Sequence, residues 1–595
     1  MTWSKFDLPF ASIFTAAMLV VPAYSASAIS TEDDPGTKKV EVGSSPIGNY
    51  LAGRHAQARR DIEAAVSFLG TALQAMPEAP GLRQRIFILL IVEGRIKEAL
   101  PLARALLQKN PKAPLANLAL AAEALRKGDH ESVVAYFKNG VARGLNSFTR
   151  PMMETWSLAG RGKAEEALET LKKLDGNEST QGLFDAHRAL LLDFLDDERA
   201  GEAYQELIDK DLAGSFRIVQ HMGQYFERKG QADRARRAYS KMRADMPETT
   251  LLDVADARLR AGKKPFKLLR SAKDGAAEAL FSIGNSLRRQ RAHETALILA
   301  RLSLYLRPDF PIAMLLVADI LENDGRHAES NAIYAKIRKG SPFRSSADMS
   351  RANNFDTMGK TDEAIALCRA VASRRQHDPQ PLTQLGNLLR RHKRWEEAID
   401  AYTGAIARAG ILEKRHWRLL YARGIAFERA GLWPNAEKDL LRALKFDPEQ
   451  ALVLNYVGYS WIDQGVHLER AQDMIRRAVA LRPNDGYIID SLGWGYYRLG
   501  KYNDAVTELE RSIQIRPEDP VINDHLGDAY WRVGRKLEAA FQWNRSLSLK
   551  PDDDIAAKIR KKLQNGLGPA KTVKPAVSRK NDPVRNDAPA APKKI

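Results

Sequence analysis

The sequence predicts an all-α fold, a solenoid of tandem helix–turn–helix repeats, and three observations in the stretch 451–551 predict it. Leu454-x-x-Val457-Gly458-x-x-Trp461, Ile489-x-x-Leu492-Gly493-x-x-Tyr496 and Asn523-x-x-Leu526-Gly527-x-x-Tyr530 repeat one pattern whose glycines lie 35 and 34 residues apart. Each is followed by a small residue (Ala471, Ala505, Ala539) and closes on a proline (Pro483, Pro517, Pro551), the prolines spaced 34 and 34. Within a unit, Ile489, Leu492, Gly493 and Tyr496 recur at i, i+3, i+4 and i+7, one face of a helix. Gly493 and Ala505 are small where the two helices of a pair must approach. One pair buries about five large side chains, roughly 10 kcal/mol at ~2 each. Ordering its residues costs on the order of 50 kcal/mol at ~1.5 each. A single unit therefore folds only by stacking on its neighbours.

The fixed period near 34, with residue type, spacing and order agreeing, resembles the tetratricopeptide repeat (TPR). The resemblance implies a right-handed superhelical α-solenoid whose concave groove holds a protein or peptide partner.

Taken in order, Met1–Ala28 reads as a secretory signal peptide. Its apolar run from Leu8 to Val21 is too short to span a bilayer, and Ala26-Ser27-Ala28 offers a cleavage pattern. With no cysteine beside that site, lipoprotein acylation is excluded. Residues 29–45 are a polar linker. Residues 46–249 form a degenerate N-terminal array, with units starting at Pro46, Pro80, Pro114 and Phe148, a weak fifth unit over 182–215, and clear pattern again at Met222-Gly223-x-x-Phe226. Residues 250–276, holding Gly262-Lys263-Lys264-Pro265, are an irregular junction without a full second helix. Residues 277–553 form the C-terminal array, interrupted by an insertion around Gly410–His416. Residues 554–565 carry Ile555, Ile559 and Leu563 on one face and form the capping helix that such arrays need. Residues 566–595, rich in Pro, Ala and Lys without hydrophobic period, are expected to be disordered.

The chain's 595 residues are 44% hydrophobic and carry a formal net charge of +18. Such a balance suits acidic partners or a solvated outer surface. The one cysteine, Cys368, cannot form a disulfide within the chain or a thiolate zinc site. It aligns with inner-face positions of neighbouring units and reads as a small buried hydrophobe. Export argues against nucleic acid as the partner, and the mature chain has no transmembrane segment. Expected localisation is the periplasm, in solution or peripherally on a membrane.

No catalytic spacing holds: HExxH, GxxxxGK[ST], G-x-S-x-G and GxGxxG after a strand are all missing. The cluster Asp524, His525, Asp528 allows a metal or acid–base pair to be imagined, but no second cluster complements it, and a polar groove lining is the plainer reading. No enzyme activity, cofactor or metal is expected. Asn285 and Asn387 stand where carboxylate-clamp members of the family have asparagine. Phe281 and Thr383 occupy the basic positions of that clamp, which speaks against chaperone co-factor activity.

The segments 463–471 and 523–531 resemble those of large exported repeat proteins of alphaproteobacterial envelopes. That resemblance implies envelope assembly, integrity or secretion. Two functions follow: a non-enzymatic scaffold gripping a protein partner, or a binder of anionic envelope polymer or lipid, such as an exopolysaccharide-export or peptidoglycan-associated adaptor. In the family register, the groove is lined by Asn455, Tyr459 and Ile462; by Asp490, Trp494 and Tyr497; and by Asp524, Asp528 and Trp531. Each repeat already has a packing aromatic at Trp461, Tyr496 or Tyr530. A second ring is thus surplus to the core and suits an interface, unless Trp494 and Trp531 are themselves packing residues.

Overall fold

A computed structural model describes residues 42–138, 143–176, 178–210, 215–246 and 249–569. The signal peptide and its cleavage site, most of the 29–45 linker and residues 570–595 lie outside the described residues. Among the described residues there are 30 α-helices and no strand. No helix there is long and apolar enough to cross a membrane.

The helices come in pairs, and the pattern read from the sequence explains how each is made. In the unit Gly486–Arg498 with Tyr502–Ile515, Ile489, Leu509 and Ala505 are fully buried. A Cβ on Gly493 would stand 2.6 Å from Leu509 Cγ, so the pair is as close as glycine permits. The turn between the two helices needs a left-handed residue, supplied by Gly500 at φ +77°. The Pro520–Arg532 helix starts with proline in its first turn, and Asp519 Oδ1 accepts from the backbone N–H groups of Val521 (2.9 Å) and Ile522 (3.1 Å). Cys368 is buried.

The chain divides into two compact units, residues 1–367 and 368–595. The division does not fall in the irregular stretch 250–276. That stretch holds a short helix, Asp253–Arg260, then non-helical backbone, and the next helix starts at Ala272 rather than Ala277. The earlier start has a local cause. Asp274 Oδ2 accepts from the backbone N–H of Arg270 (2.9 Å) and Ser271 (3.0 Å) and from Ser271 Oγ (2.9 Å), closing a capping box.

The resulting Ala272–Arg289 helix is buried on nearly all sides through Gly284. It packs not only on its partner His293–Leu306 but also on Asn146–Gly160 and Glu178–Phe194, far earlier in the chain. His293–Leu306 in turn packs on Leu82–Val92 and Pro114–Lys127. Gly275 makes the approach feasible, since a Cβ there would sit 2.1 Å from the Trp156 ring. Glu278, fully buried, is gripped by Arg217 (Nε at 2.9 Å), His221 Nε2 (3.3 Å) and Arg307 Nη1 (3.5 Å). Arg301 Nε donates to Val92 O at 2.9 Å. The first unit thus fastens its early repeats onto its later ones.

In the second unit, the principal packing joins helices at most two places apart in the chain. The insertion is a 3-10 turn, Lys414–His416, held by the Glu413 N–H donating to His416 Nδ1 at 2.8 Å.

Candidate functional site

The first helices of the last three repeats, Ala451–Gln464, Gly486–Arg498 and Pro520–Arg532, are neighbours through the Gly486–Arg498 helix. They carry all nine residues expected in the groove.

Trp494 forms the centre of a three-ring stack. Tyr497 lies at 4.7 Å and 11° on one side and His525 at 4.1 Å and 17° on the other. Both rings of the Gly486–Arg498 helix are half-buried, so the stack shows an edge, not a free face. His525 Nδ1 bonds Asp490 at 2.9 and 3.1 Å, joining one repeat to the next. Burial alone would lower the imidazole's pKa, but Asp490, with Asp524 and Asp528 nearby, holds it above its ordinary value. One repeat earlier, Asn455 Nδ2 donates to Ser491 Oγ at 3.2 Å, while Asn455 Oδ1 is buried without a hydrogen-bond partner. Tyr459 is half-buried, and burial with Asp463 and Asp490 nearby pushes its hydroxyl up to about 12. Ile462 is fully buried, and its Cδ1 is 2.9 Å from where a Cβ on Gly495 would stand. It is a packing residue between repeats, not a groove contact.

At the other end the three expected groove residues are partly or fully covered by neighbouring segments. Lys562, on the Asp553–Asn565 helix, donates to Asp524 at 2.8 Å and to Asp528 at 2.9 Å. Asp528 also accepts from Trp543 Nε1 at 2.9 Å and is buried. Burial raises the Asp528 carboxyl, Lys562 works against that, and Asp524 adds to it, leaving the pKa up at about 6. Trp531 lies 5.4 Å from Trp543 and is covered on another side by Gly566. The physical reason is that a terminal repeat has an open flank, and the capping helix fills it with a cation matched to the acidic pair. Lys562, Ser491 and Trp543 were not among the residues expected at the site, and His525 was expected only as part of the cluster with Asp524 and Asp528. A period-based register assigns faces within one helix, whereas these contacts come from other helices. Among the described residues no group of three or more His, Cys, Asp or Glu side chains is arranged to hold a metal ion.

Stacked helix pairs of this kind define a tandem-repeat scaffold, an architecture that suggests protein–protein interaction. Tetratricopeptide-repeat models match residues 86–141, 349–409 and 383–451, and a TPR repeat model matches 495–534. These matches support a tetratricopeptide repeat protein. The TPR repeat-containing protein PA4667 of Pseudomonas aeruginosa is 28% identical over 176 residues, which is 29% of this chain and 28% of that protein. The chain thus matches well under half of that relative's length. Among solved structures, the Cut9–Hcn1 hetero-tetramer of the APC/C is similar with 14% identity and a TM-score of 0.36, covering 89% of this chain and 99% of that one. A tetratricopeptide repeat protein from Parabacteroides merdae is similar with 13% identity and a TM-score of 0.34, covering 49% and 99%. Likeness at this level says nothing of partners.

Proposed function

We propose that this chain is a non-enzymatic scaffold of the cell envelope, and that the inner row from Asn455 to Tyr497 holds an extended segment of a protein partner. The observation that carries the reading is the half-buried aromatic row of Tyr459, Trp494 and Tyr497 on the first helices of adjacent repeats. The ring edges supply apolar contact to a bound segment. The row's charges favour a polypeptide over an anionic polymer. Asp490 faces His525, Asp463 pairs with Arg498, and Asp524 and Asp528 share Lys562, so no run of unopposed cations lines this face. Periplasmic location rests on the Met1–Ala28 pattern, and N-terminal sequencing of the fractionated protein is expected to begin at Ile29.

The test is a photo-crosslinker placed at Tyr459 in cells, with the captured partner identified by mass spectrometry and its binding then measured in solution. Trp494→Ala is expected to keep the helical circular dichroism signal and to weaken that partner at least tenfold. Binding should change little between low and physiological salt. A partner bound equally well by the folded variant would remove the row as its site, and a steep salt dependence would favour the polymer-binding function.

A further inference from the structure

We infer that the non-helical loop 263–270 of the first unit docks on an anionic phospholipid surface, with Phe266 entering the headgroup layer and the surrounding Lys and Arg facing lipid phosphates. The inference does not depend on the reading of the Asn455–Tyr497 row.

The loop stands where the repeat pattern fails. Residues 258–273 carry seven Lys or Arg and no Asp or Glu. Two of the seven are engaged: Arg258 Nη2 holds Glu227 at 2.9 Å, and Lys267 Nζ bonds Asp196 at 2.6 Å. Arg260, Lys263, Lys264, Arg270 and Lys273 are exposed, and their side chains have no carboxylate partner among the described residues. The acids flanking the stretch are committed elsewhere, Asp256 to Arg243 and Asp274 to the capping box. Amid these cations Phe266 is 82% exposed, more than any other aromatic ring among the described residues. The Arg270 guanidinium lies 5.6 Å from its ring centre.

The ring is held outside by its backbone. Gly262, φ +61°, ends the preceding helix, and the Lys263 N–H donates to Arg258 O at 3.1 Å. Pro265 then keeps Lys264 out of helical geometry. Beyond the ring, Lys267 Nζ donates to Phe194 O at 3.4 Å, Leu269 is buried in the core, and Asp274 caps the next helix. A loop tied at Lys263, Lys267 and Leu269 leaves Phe266 no route inward.

One exposed ring is ordinary. A ring set among five unpaired cations has the composition of an interfacial contact, in which the aromatic sits at the headgroup boundary while long basic side chains reach the phosphates. A stable protein interface buries about 800 Å² on each partner with matched shape. This loop offers a single ring between exposed polar neighbours, and a lipid surface moulds to such a tip without needing a matching pocket. Each cation beside an anionic surface strengthens attachment about fivefold. The hold is reversible, because one ring and a basic patch fall well short of an inserted helix.

The experiment measures co-sedimentation of the chain in its expected mature form, beginning at Ile29, with vesicles of phosphatidylglycerol and phosphatidylcholine in equal parts and with vesicles of phosphatidylcholine alone. Binding is expected on the mixed vesicles, with little on the neutral ones and a steep loss at high salt. Lys263→Ser combined with Lys264→Ser should weaken it at least tenfold, at about fivefold for each cation. Phe266→Ser should weaken it about tenfold. All three positions are exposed, so the helical circular dichroism signal should match wild type. The chain's one cysteine, Cys368, is buried, so a polarity-sensitive dye can be attached selectively at Phe266→Cys. Its emission should move to the blue on mixed vesicles, whereas the same dye at Asn544→Cys should not respond. Loop variants that bind like wild type would overturn the inference, since charge elsewhere in the chain would then suffice. A dye at position 266 that stays in water on the vesicle-bound chain would overturn it too. Loss with the lysine pair but not with Phe266→Ser, together with retention of soluble polyglutamate by wild type, would assign the loop to an acidic polypeptide instead. Trp494→Ala should leave vesicle binding unchanged, which separates this result from partner capture at Tyr459.

Discussion

In the first unit the opening helices of the early repeats, Leu82–Val92, Pro114–Lys127 and Asn146–Gly160, are packed against Ala272–Arg289 and His293–Leu306, which lie far along the chain. In the second unit the corresponding helices meet chiefly their immediate neighbours, and only the last repeat is covered, by Lys562 and residues 566–568. The same 34-residue unit thus serves two ends. Where a later helix is made of small residues, as in Gly275-Ala276-Ala277, it nests against earlier repeats and the array becomes a closed body. In the second unit Tyr459, Trp494 and Tyr497 are half-buried, and the contacts of their helices are with adjacent repeats.

The largest break in that comparison is Glu278→Ala. It leaves Arg217 and Arg307, both mostly buried, without their carboxylate, and such a loss costs about 3–5 kcal/mol. Amide exchange should accelerate across 216–228 and 272–306 and stay unchanged in 451–548. Uniform protection across the mutant's first unit would mean that Glu278 does not fasten it.

Gly493→Leu makes the converse break. The Leu509 side chain and its backbone N–H, 2.6 and 3.2 Å from the new Cβ, force the pair apart, for about 1–3 kcal/mol or more. Chemical denaturation should show the transition of the second unit moving to lower denaturant, with damage spreading to adjacent repeats. A midpoint equal to wild type would show that this pair is not tightly packed.

Lys562→Met separates the covered end of the second unit from its open part. Removing a mostly buried ammonium from two carboxylates costs about 1–2 kcal/mol, and the loss should be confined to 520–565. Limited proteolysis is the readout, with new cleavage expected near 553–569. Cleavage appearing instead around 455–498 would mean that the cap supports the whole unit.

The smallest effect is on pH, and its sign differs between the units. In the first unit, burial holds the His187 and His221 imidazoles down at about 4. Glu278 is held well below the carboxylate range because Arg217 and His221 outweigh its burial. These contributions are present above the unfolded pKa values and are lost as pH falls through the folded ones. In the second unit, His525 is raised and Asp528 stands at about 6. Their contributions are complete below the unfolded values, near 6.5 and 3.8, and fade as pH rises through the folded ones. Between pH 5 and 8 the first unit should therefore gain stability relative to the last repeats of the second. Parallel pH profiles for the two would refute the assignment.

The period, the helix pairs, the small residues at close approaches and the packing positions were all legible in the sequence, because they repeat locally. Leu509, Ala505 and Trp461 are buried as their register requires. The run Gly275-Ala276-Ala277-Glu278-Ala279 held a signal for the closure of the first unit, since a helix with small residues all round must be buried on every side. A lone acid in that run pointed to a buried cation. Reading it takes more than a face assignment, because periodicity states which side of a helix is covered and not by which helix.

The sequence by itself determined that this chain is a TPR array and which residues line each helix pair, since helical periodicity and turn chemistry act within about 34 residues. The tertiary structure alone decided that Ala272–Arg289 closes the first unit, that Lys562 neutralises Asp524 and Asp528, and that Gly566 covers Trp531. Those contacts join segments that no local preference links. They are set by shape and charge once the repeats have stacked.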